Sequence, residues 1–403
     1  MDYHALAEKY GTPLYLYDFD KIKQDFLALK NSFKPAKSLM SYAVKANSNL
    51  SVLKLIASLD GGGDCVSLNE IKRCLQAGIP NYKIIFSGVG KRDEEIREAI
   101  KLNILFINIE SFEELKRVEL IAQDMQVQVR ISVRVNPNID ARTHAYISTG
   151  MYENKFGVDI EEAYKIYFFS KTNEWIDPVG IHFHIGSQLT KLQPLVDACA
   201  IIAQMVKKLQ MMEIDLSFVD VGGGIGIDYD GETLINVSEY ASEIKKQLSA
   251  FDITIVTEMG RYVVGNAGVF LSKVLYEKEN AQKRFVIVDG AMNDLIRPSL
   301  YGAKHQVELI ADNAVEHKNK PVADIVGPVC ESGDFLAKNV TIAQTAHNDL
   351  LLIKSAGAYC FALSSNYNSR TRCAEVALQN GEARLIRERE NFDDLIAKEV
   401  QYL

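Results

Sequence analysis

Short apolar runs alternate with stretches that carry an apolar residue every three or four positions through the first two-thirds of the chain. The runs are LMSYAV (39–44), GDCVS (63–67), KIIFSG (83–88), ILFINI (104–109), VQVRISVRVN (127–136), GIHFHIG (180–186), LSFVDVGGG (216–224) and ITIVTE (253–258). Between them, segments such as SLNEIKRCLQAG and DEEIREAIKL have helical spacing. Strands alternating with helices predict an α/β fold with a parallel sheet. Repeated to this number of units, they predict a closed (β/α)8 TIM barrel. A doubly wound open sheet is the alternative that periodicity leaves standing.

Past about residue 265 the pattern changes. GVFLSKVLYEK, KRFVIVDGA, PVADIVGP and DLLLIKSAGAY follow one another with little helical spacing between them. EVALQNGEARLIRE predicts a hairpin, because Asn380-Gly381 supplies the positive φ angles of a tight turn. TPLYLYD (12–18) predicts a strand ahead of the first barrel helix, with Asp18 as its N-cap. We therefore expect a barrel over 20–265 and a β-rich C-terminal domain over 266–403, the latter joined by the N-terminal strand segment 1–19.

Composition narrows the function. At 403 residues, 47% hydrophobic and 24% charged, the chain can bury a sizeable core and has the balance of a globular protein. A net charge of −8 with no lysine/arginine block argues against nucleic acid or an anionic membrane as partner. The opening MDYHALAEKYGTP has neither the basic nor the apolar region of a secretory signal, and no apolar run would span a bilayer. The six cysteines lack C-x-x-C spacing and read as reduced thiols, so we expect a cytoplasmic protein without a metal centre.

In a barrel of this kind the chemistry sits where the strands end. Those ends carry Lys45, then Asp64 and Ser67, then His182, His184 and Ser187. Gly222, Gly223 and Gly224 follow the seventh strand, and Glu258, Gly260 and Arg261 the eighth. Each alone is weak: a strand-end lysine is usually solvated, and a glycine run often marks only a turn. The two histidines of H-x-H are not expected to converge on one ion. Together the residues describe a single ligand. Adjacent glycines and an arginine after strands seven and eight suit a phosphate. A carboxylate beside that phosphate makes sense only opposite a cationic nitrogen, and a lysine can form a Schiff base with an aldehyde. Those three features specify pyridoxal 5′-phosphate, with His184 stacked on its ring and Tyr359 donating to the phosphate.

The segments YAVKANSN, KFGV, HFHIGSQL, DVGGGIGIDY, GRYVVGNAG, RPSLYGAKH, GPVCESGD and GAYCFALSSNYNSR together resemble the fold-type III, alanine racemase-like, pyridoxal-phosphate decarboxylases of basic amino acids. CESGD with RPSLY is closest to the branch acting on diaminopimelate. The resemblance spans roughly residues 10 to 400. It implies a lyase that releases carbon dioxide from meso-2,6-diaminopimelate to give L-lysine, the last step of lysine biosynthesis. It further implies that Lys45 carries the cofactor, His184 stacks on it and Glu258 pairs with its nitrogen. Asp64, Ser187, Gly222 to Gly224, Gly260, Arg261 and Tyr359 would line the cofactor pocket. Arg261, Arg297, Tyr301, Glu331 and Tyr359 would contact the substrate, with Glu331 on its distal ammonium and Arg297 and Tyr301 on a carboxylate. Cys330 would be the acid. Cys330 and Glu331 come from the partner subunit in this family, which implies a homodimer with shared sites.

The chain also departs from the family pattern. Met259 replaces a proline, Ala291 follows Gly290 where the order is usually reversed, and Asn69 and Cys360 stand where glycine is common. The glycine usual before Asp349 is missing too. We expect backbone strain at Ala291 in particular. The alternatives are a sibling decarboxylase acting on carboxynorspermidine, ornithine or arginine, and a pyridoxal-phosphate-binding homologue with weakened catalysis. A racemase fits less well, since it needs a second acid/base in place of the CES segment. The segment TGMYENKFG (149–157) has the glycines and polar residues of a loop that closes over a site.

Overall fold

The computed structural model describes residues 1–140, 154–310 and 322–403. The first five residues of TGMYENKFG lie outside them.

All eight apolar runs become strands, and they close into a parallel barrel. In order these are Ser38–Ala43, Gly62–Cys65, Ile84–Phe86, Phe106–Ile109, Val129–Arg134, Ile176–His182, Phe218–Asp220 and Thr254–Thr257. The first and last meet in register, Ser38 opposite Ile255 and Met40 opposite Thr257, which shuts out the open-sheet alternative. The second, third and fourth strands are buried at every residue, as expected where helices cover one side and the barrel lumen fills the other. One core cluster gathers Ile85, Leu105, Phe106 and Val256 from separate strands and the turns beside them. Each such side chain contributes about 1.5–3 kcal/mol on burial.

The helices follow their sequence signals. Ser67 caps Leu68–Gln76 by accepting from the Glu70 N–H, and the helix turns Ile71 and Cys74 inward. Asp93–Lys101 buries Ile96 and Ala99. Asp18 accepts from the Lys21 N–H at 2.9 Å and so starts the helix Phe19–Ser32.

Two barrel strands end four residues before their apolar runs do. The sixth stops at His182 and the seventh at Asp220, so His184 and the three glycines lie on the loops above the barrel. Gly222, at φ +62°, adopts a left-handed conformation that favours glycine and turns the chain out of the strand.

A second unit comprises residues 1–22, 228–232 and 263–403. Its sheet runs in the order Phe335–Thr341, Val322–Val326, Arg284–Val288, Gly268–Glu279, Leu14–Asp18, Ala374–Gln379, Glu382–Arg387. Leu350–Ile353 also pairs with Gly268–Glu279 and with Val307–Ile310. The early strand Leu14–Asp18 is central, antiparallel to Gly268–Leu271 and parallel to Ala374–Leu378. Its Leu14 and Leu16 pack with Leu271, Leu352 and Val376 in one core. The hydroxyls of Tyr15 and Tyr17 are satisfied by the Asp294 carbonyl and by Glu375. The hairpin at 374–387 turns at Asn380 and Gly381, both at positive φ.

The strain expected at Ala291 does not occur. Its φ is not positive and it is fully buried, whereas a Cβ at Gly290 would lie 2.6 Å from the Phe270 ring. The glycine in this turn is therefore needed at 290. Asn348, by contrast, does take the glycine-like conformation, at φ +74°, one that asparagine tolerates better than most residues. Met259, where the family pattern has a proline, is buried.

Candidate active site

Lys45 lies in the single 3₁₀ turn Val44–Ala46 that follows the first barrel strand. The neighbouring strand pairs Asp64 with Ala43, which places the carboxylate beside the lysine two residues on. The Lys45 Nζ to Asp64 Oδ2 distance is 3.1 Å. Asp64 is wholly buried, and its other oxygen has no hydrogen-bond partner. Burial and the nearby charge of Glu258 raise the Asp64 carboxyl, while Lys45 and Ser87 oppose that shift. Ser87 itself receives a hydrogen bond from Asn108 at 3.0 Å. Sequence reading missed Ser87 and Asn108; their positions at the ends of the third and fourth strands were the available signal.

Glu258 stands one residue beyond the last strand, buried against His182 and Asp220. Its Oε2 is 3.3 Å from His182 Nε2. Oxygen or nitrogen atoms of all three residues lie within 4.8 Å of one another. Two buried carboxyl groups this close cannot both carry charge cheaply. Burial and the Glu258 charge push Asp220 well up. Burial alone would raise Glu258 as well, but the adjacent His182, with the Lys45 charge behind it, outweighs burial and holds Glu258 well below the usual carboxylate range.

Among the described residues His182 groups with Asp220 and Glu258, and His184 is not in that group. Both imidazoles are within electrostatic reach of Glu258. They still differ in role. His184 accepts the Gly223 N–H on Nδ1 at 3.2 Å. Burial, helped by the positive charges of Arg134 and Lys45, lowers its pKa to about 3, so the ring is neutral. His182 instead faces Glu258.

The three glycines are required by close packing of the loops. A Cβ at Gly222 would fall 2.5 Å from the Phe183 carbonyl, and one at Gly223 only 2.3 Å from the Glu258 carbonyl. One at Gly224 would fall 2.2 Å from the Gly186 carbonyl. The loop after strand seven thus wedges between its neighbours, which brings the Gly223 N–H to His184. Gly260 is similar: a Cβ there would meet Ala46 at 2.8 Å. Arg261 follows, and its Nε and Nη2 donate to Ser187 Oγ at 3.3 and 3.1 Å. In the barrel unit, Lys45, Asp64, His184, Ser187, Gly222 to Gly224, Glu258, Gly260 and Arg261 therefore share the end where the strands finish. Ser67 caps a helix.

The remaining candidates belong to the second unit. Arg297 and Tyr301 begin and end one helical turn, RPSLY, which Gly302 closes at φ +60°. Arg297 is buried, and its Nη1 donates to Tyr229 Oη at 2.5 Å. Tyr359 holds φ +58°, an unusual conformation for a tyrosine, and the buried Cys360 follows it. Cys330 and Glu331 are exposed, the Cys330 N–H donating to Asn368 Oδ1 at 3.2 Å.

The barrel residues suit a phosphorylated pyridine aldehyde. Glu258 Oε1 is buried without a hydrogen-bond partner, as an oxygen meant for a ring N–H would be. Lys45 offers an amine, and Arg261 with Ser187 offers donors beside a glycine loop. Residues 19–265 match the pyridoxal binding domain of the pyridoxal-dependent decarboxylases. A diaminopimelate decarboxylase of Campylobacter jejuni is 52% identical over 404 residues, covering all of both chains. The diaminopimelate decarboxylase crystal structure from Helicobacter pylori in complex with L-lysine superposes with a TM-score of 0.96 at 50% identity, again over all of both chains. Another from M. jannaschii, also with L-lysine, gives 0.93 at 34% identity over 99% of this chain and 94% of that one.

Proposed function

We propose that this chain, which belongs to the pyridoxal-dependent decarboxylases, removes carbon dioxide from meso-2,6-diaminopimelate and yields L-lysine. The observation that carries the reaction type is Glu258: a buried, ionised carboxylate with one oxygen unpartnered, on the same rim as the Lys45–Asp64 pair. Pyridoxal 5′-phosphate, the cofactor, supplies the electron sink for the pair released when the carboxylate leaves. Lys45 would hold the cofactor through its amine, which Asp64 fixes in place. Glu258, with His182 3.3 Å away, would keep the ring nitrogen protonated. His184 presents a neutral ring face, oriented by the Gly223 N–H. Arg261, Ser187 and the glycine loop would bind the phosphate, and Tyr359 would add its hydroxyl.

Substrate recognition falls to Arg297, Tyr301 and Glu331, and proton delivery to Cys330. The support for Arg297 is electrostatic. Among the described residues no carboxylate pairs with it, and a buried cation without a carboxylate partner favours an anionic ligand. A carboxylate on the substrate's distal centre supplies one; ornithine has none there. Cys330 and Glu331 act in the site of a second copy, making the enzyme a homodimer. Their exposure in the single chain supports this reading. Among the described residues no helix is long and apolar enough to cross a membrane. An enzyme making an amino acid from a polar precursor works in the cytoplasm.

The test is product analysis with pyridoxal 5′-phosphate and meso-diaminopimelate, beside Lys45→Ala and a panel of ornithine, arginine and carboxynorspermidine. Lysine and carbon dioxide from the unaltered protein alone establish the reaction. Turnover of another panel member in preference to diaminopimelate would overturn the substrate.

A further inference from the structure

We propose that Tyr229 is the positioning residue for the substrate's distal carboxylate, orienting Arg297 without neutralising it. The inference rests on the reading of Arg297 as the carboxylate's partner.

Tyr229 comes from IGIDYDG, after the glycine loop, in a segment (228–232) that packs with the second unit. Two of its features hold the same guanidinium. The hydroxyl accepts from Arg297 Nη1 at 2.5 Å, a short charge-assisted bond. The ring lies 4.8 Å from Arg297 Cζ, within cation–π range. A hydroxyl contact and a ring contact together restrict the plane of the fork as well as its position.

Tyr229 is itself braced. His305 meets its ring edge-on, with centroids 5.2 Å apart and an 80° interplanar angle. The Nδ1 of that histidine is 2.8 Å from the Lys354 carbonyl. The preceding residue, Asp228, is tied down where its carbonyl accepts from Ser355 Oγ at 3.1 Å. The tyrosine, 7% exposed, has little room to swing away.

The choice of side chain matters because of charge. An aspartate or glutamate would orient a guanidinium more strongly, but it would cancel the charge the substrate needs. A phenol orients and leaves the charge intact. The other group beside Arg297 is the side chain of Cys360. Arg297 Nε, buried and without a hydrogen-bond partner, remains to donate. The site is thus a cation held in place and left unpaired.

The experiment is calorimetric titration of the holoenzyme with L-lysine and, separately, with 1,5-diaminopentane, which has no carboxylate. The ratio of the two affinities isolates the carboxylate contact. Tyr229→Phe is expected to weaken L-lysine about tenfold and leave diaminopentane within about twofold. Tyr229→Glu, which keeps an acceptor but adds a charge, is expected to weaken L-lysine about a hundredfold. The visible absorbance of bound cofactor in each variant confirms that the site is folded. Arg297→Ala is the control, expected to abolish the preference for L-lysine. An unchanged ratio in Tyr229→Phe, with the preference lost in Arg297→Ala, would overturn the role of Tyr229 alone. A preference that survives Arg297→Ala would overturn the underlying reading of Arg297.

Discussion

The two clusters of buried charge in this molecule are built on opposite plans. In the barrel, Lys45 meets Asp64, Glu258 meets His182, and Asp220 beside them is pushed well up by burial. Charges there are paired or suppressed before any ligand arrives. In the second unit, Arg297 has a phenol and a thiol for company and no counter-charge among the described residues. The difference separates chemistry from recognition. A reacting centre needs groups fixed in defined protonation states, and mutual pairing achieves that. A recognition cation needs an unspent charge, and neutral neighbours preserve it. Barrel substitutions should therefore act on kcat, and second-unit substitutions on KM.

The largest effect is expected from Lys45→Ala, which removes the amine altogether. Turnover should fall by about a thousandfold or more, and single-turnover assays will show whether the first bond change is lost. Glu258→Gln keeps the shape but removes the charge that holds the ring nitrogen protonated. We expect a drop of about a hundredfold or more in kcat with KM little changed. An equal rise in KM would erase the contrast between the clusters. Arg297→Ala should do the reverse, raising KM for diaminopimelate by about a hundredfold with the smaller share of the loss in kcat.

The smallest effect sharpens the comparison through pH and stability. His184 is held to about 3 in the folded barrel, against an ordinary value of 6.5, chiefly by burial. The unfolded chain therefore binds more protons between those values, and stability present above pH 6.5 is lost as pH falls. Asp294 in the second unit runs the other way. Burial raises it from 3.8 to about 6, so its contribution is present below pH 3.8 and lost as pH rises through 6. Neither slope can exceed about 1.4 kcal/mol per pH unit. Urea unfolding at pH 7 and pH 5 should show the acid loss in the unaltered protein and a smaller one in His184→Gln. An identical loss in both would place the acid-sensitive group elsewhere.

Much of the fold was legible along the chain. Apolar runs of strand length, helical spacing between them and the Asn380-Gly381 turn are local signals, and each produced the element it predicts. The strand ends also announced Lys45, Asp64, His184 and Glu258, because a parallel barrel brings strand ends to one rim. Even so, the run GIHFHIG gave no sign that its strand stops at His182.

Partnership was not legible. The pairing of His182 with Glu258, the upward push of Glu258 on Asp220 and the hold of Tyr229 on Arg297 all join residues far apart in sequence. The glycine run had two readings in the sequence, and loop packing shows that neighbouring backbone alone already excludes a side chain there. Periodicity reports what a segment does by itself, since it depends on the next few residues. Which charge is cancelled and which is left open depends on distance through space, and only the closed barrel and the assembled second sheet decide that.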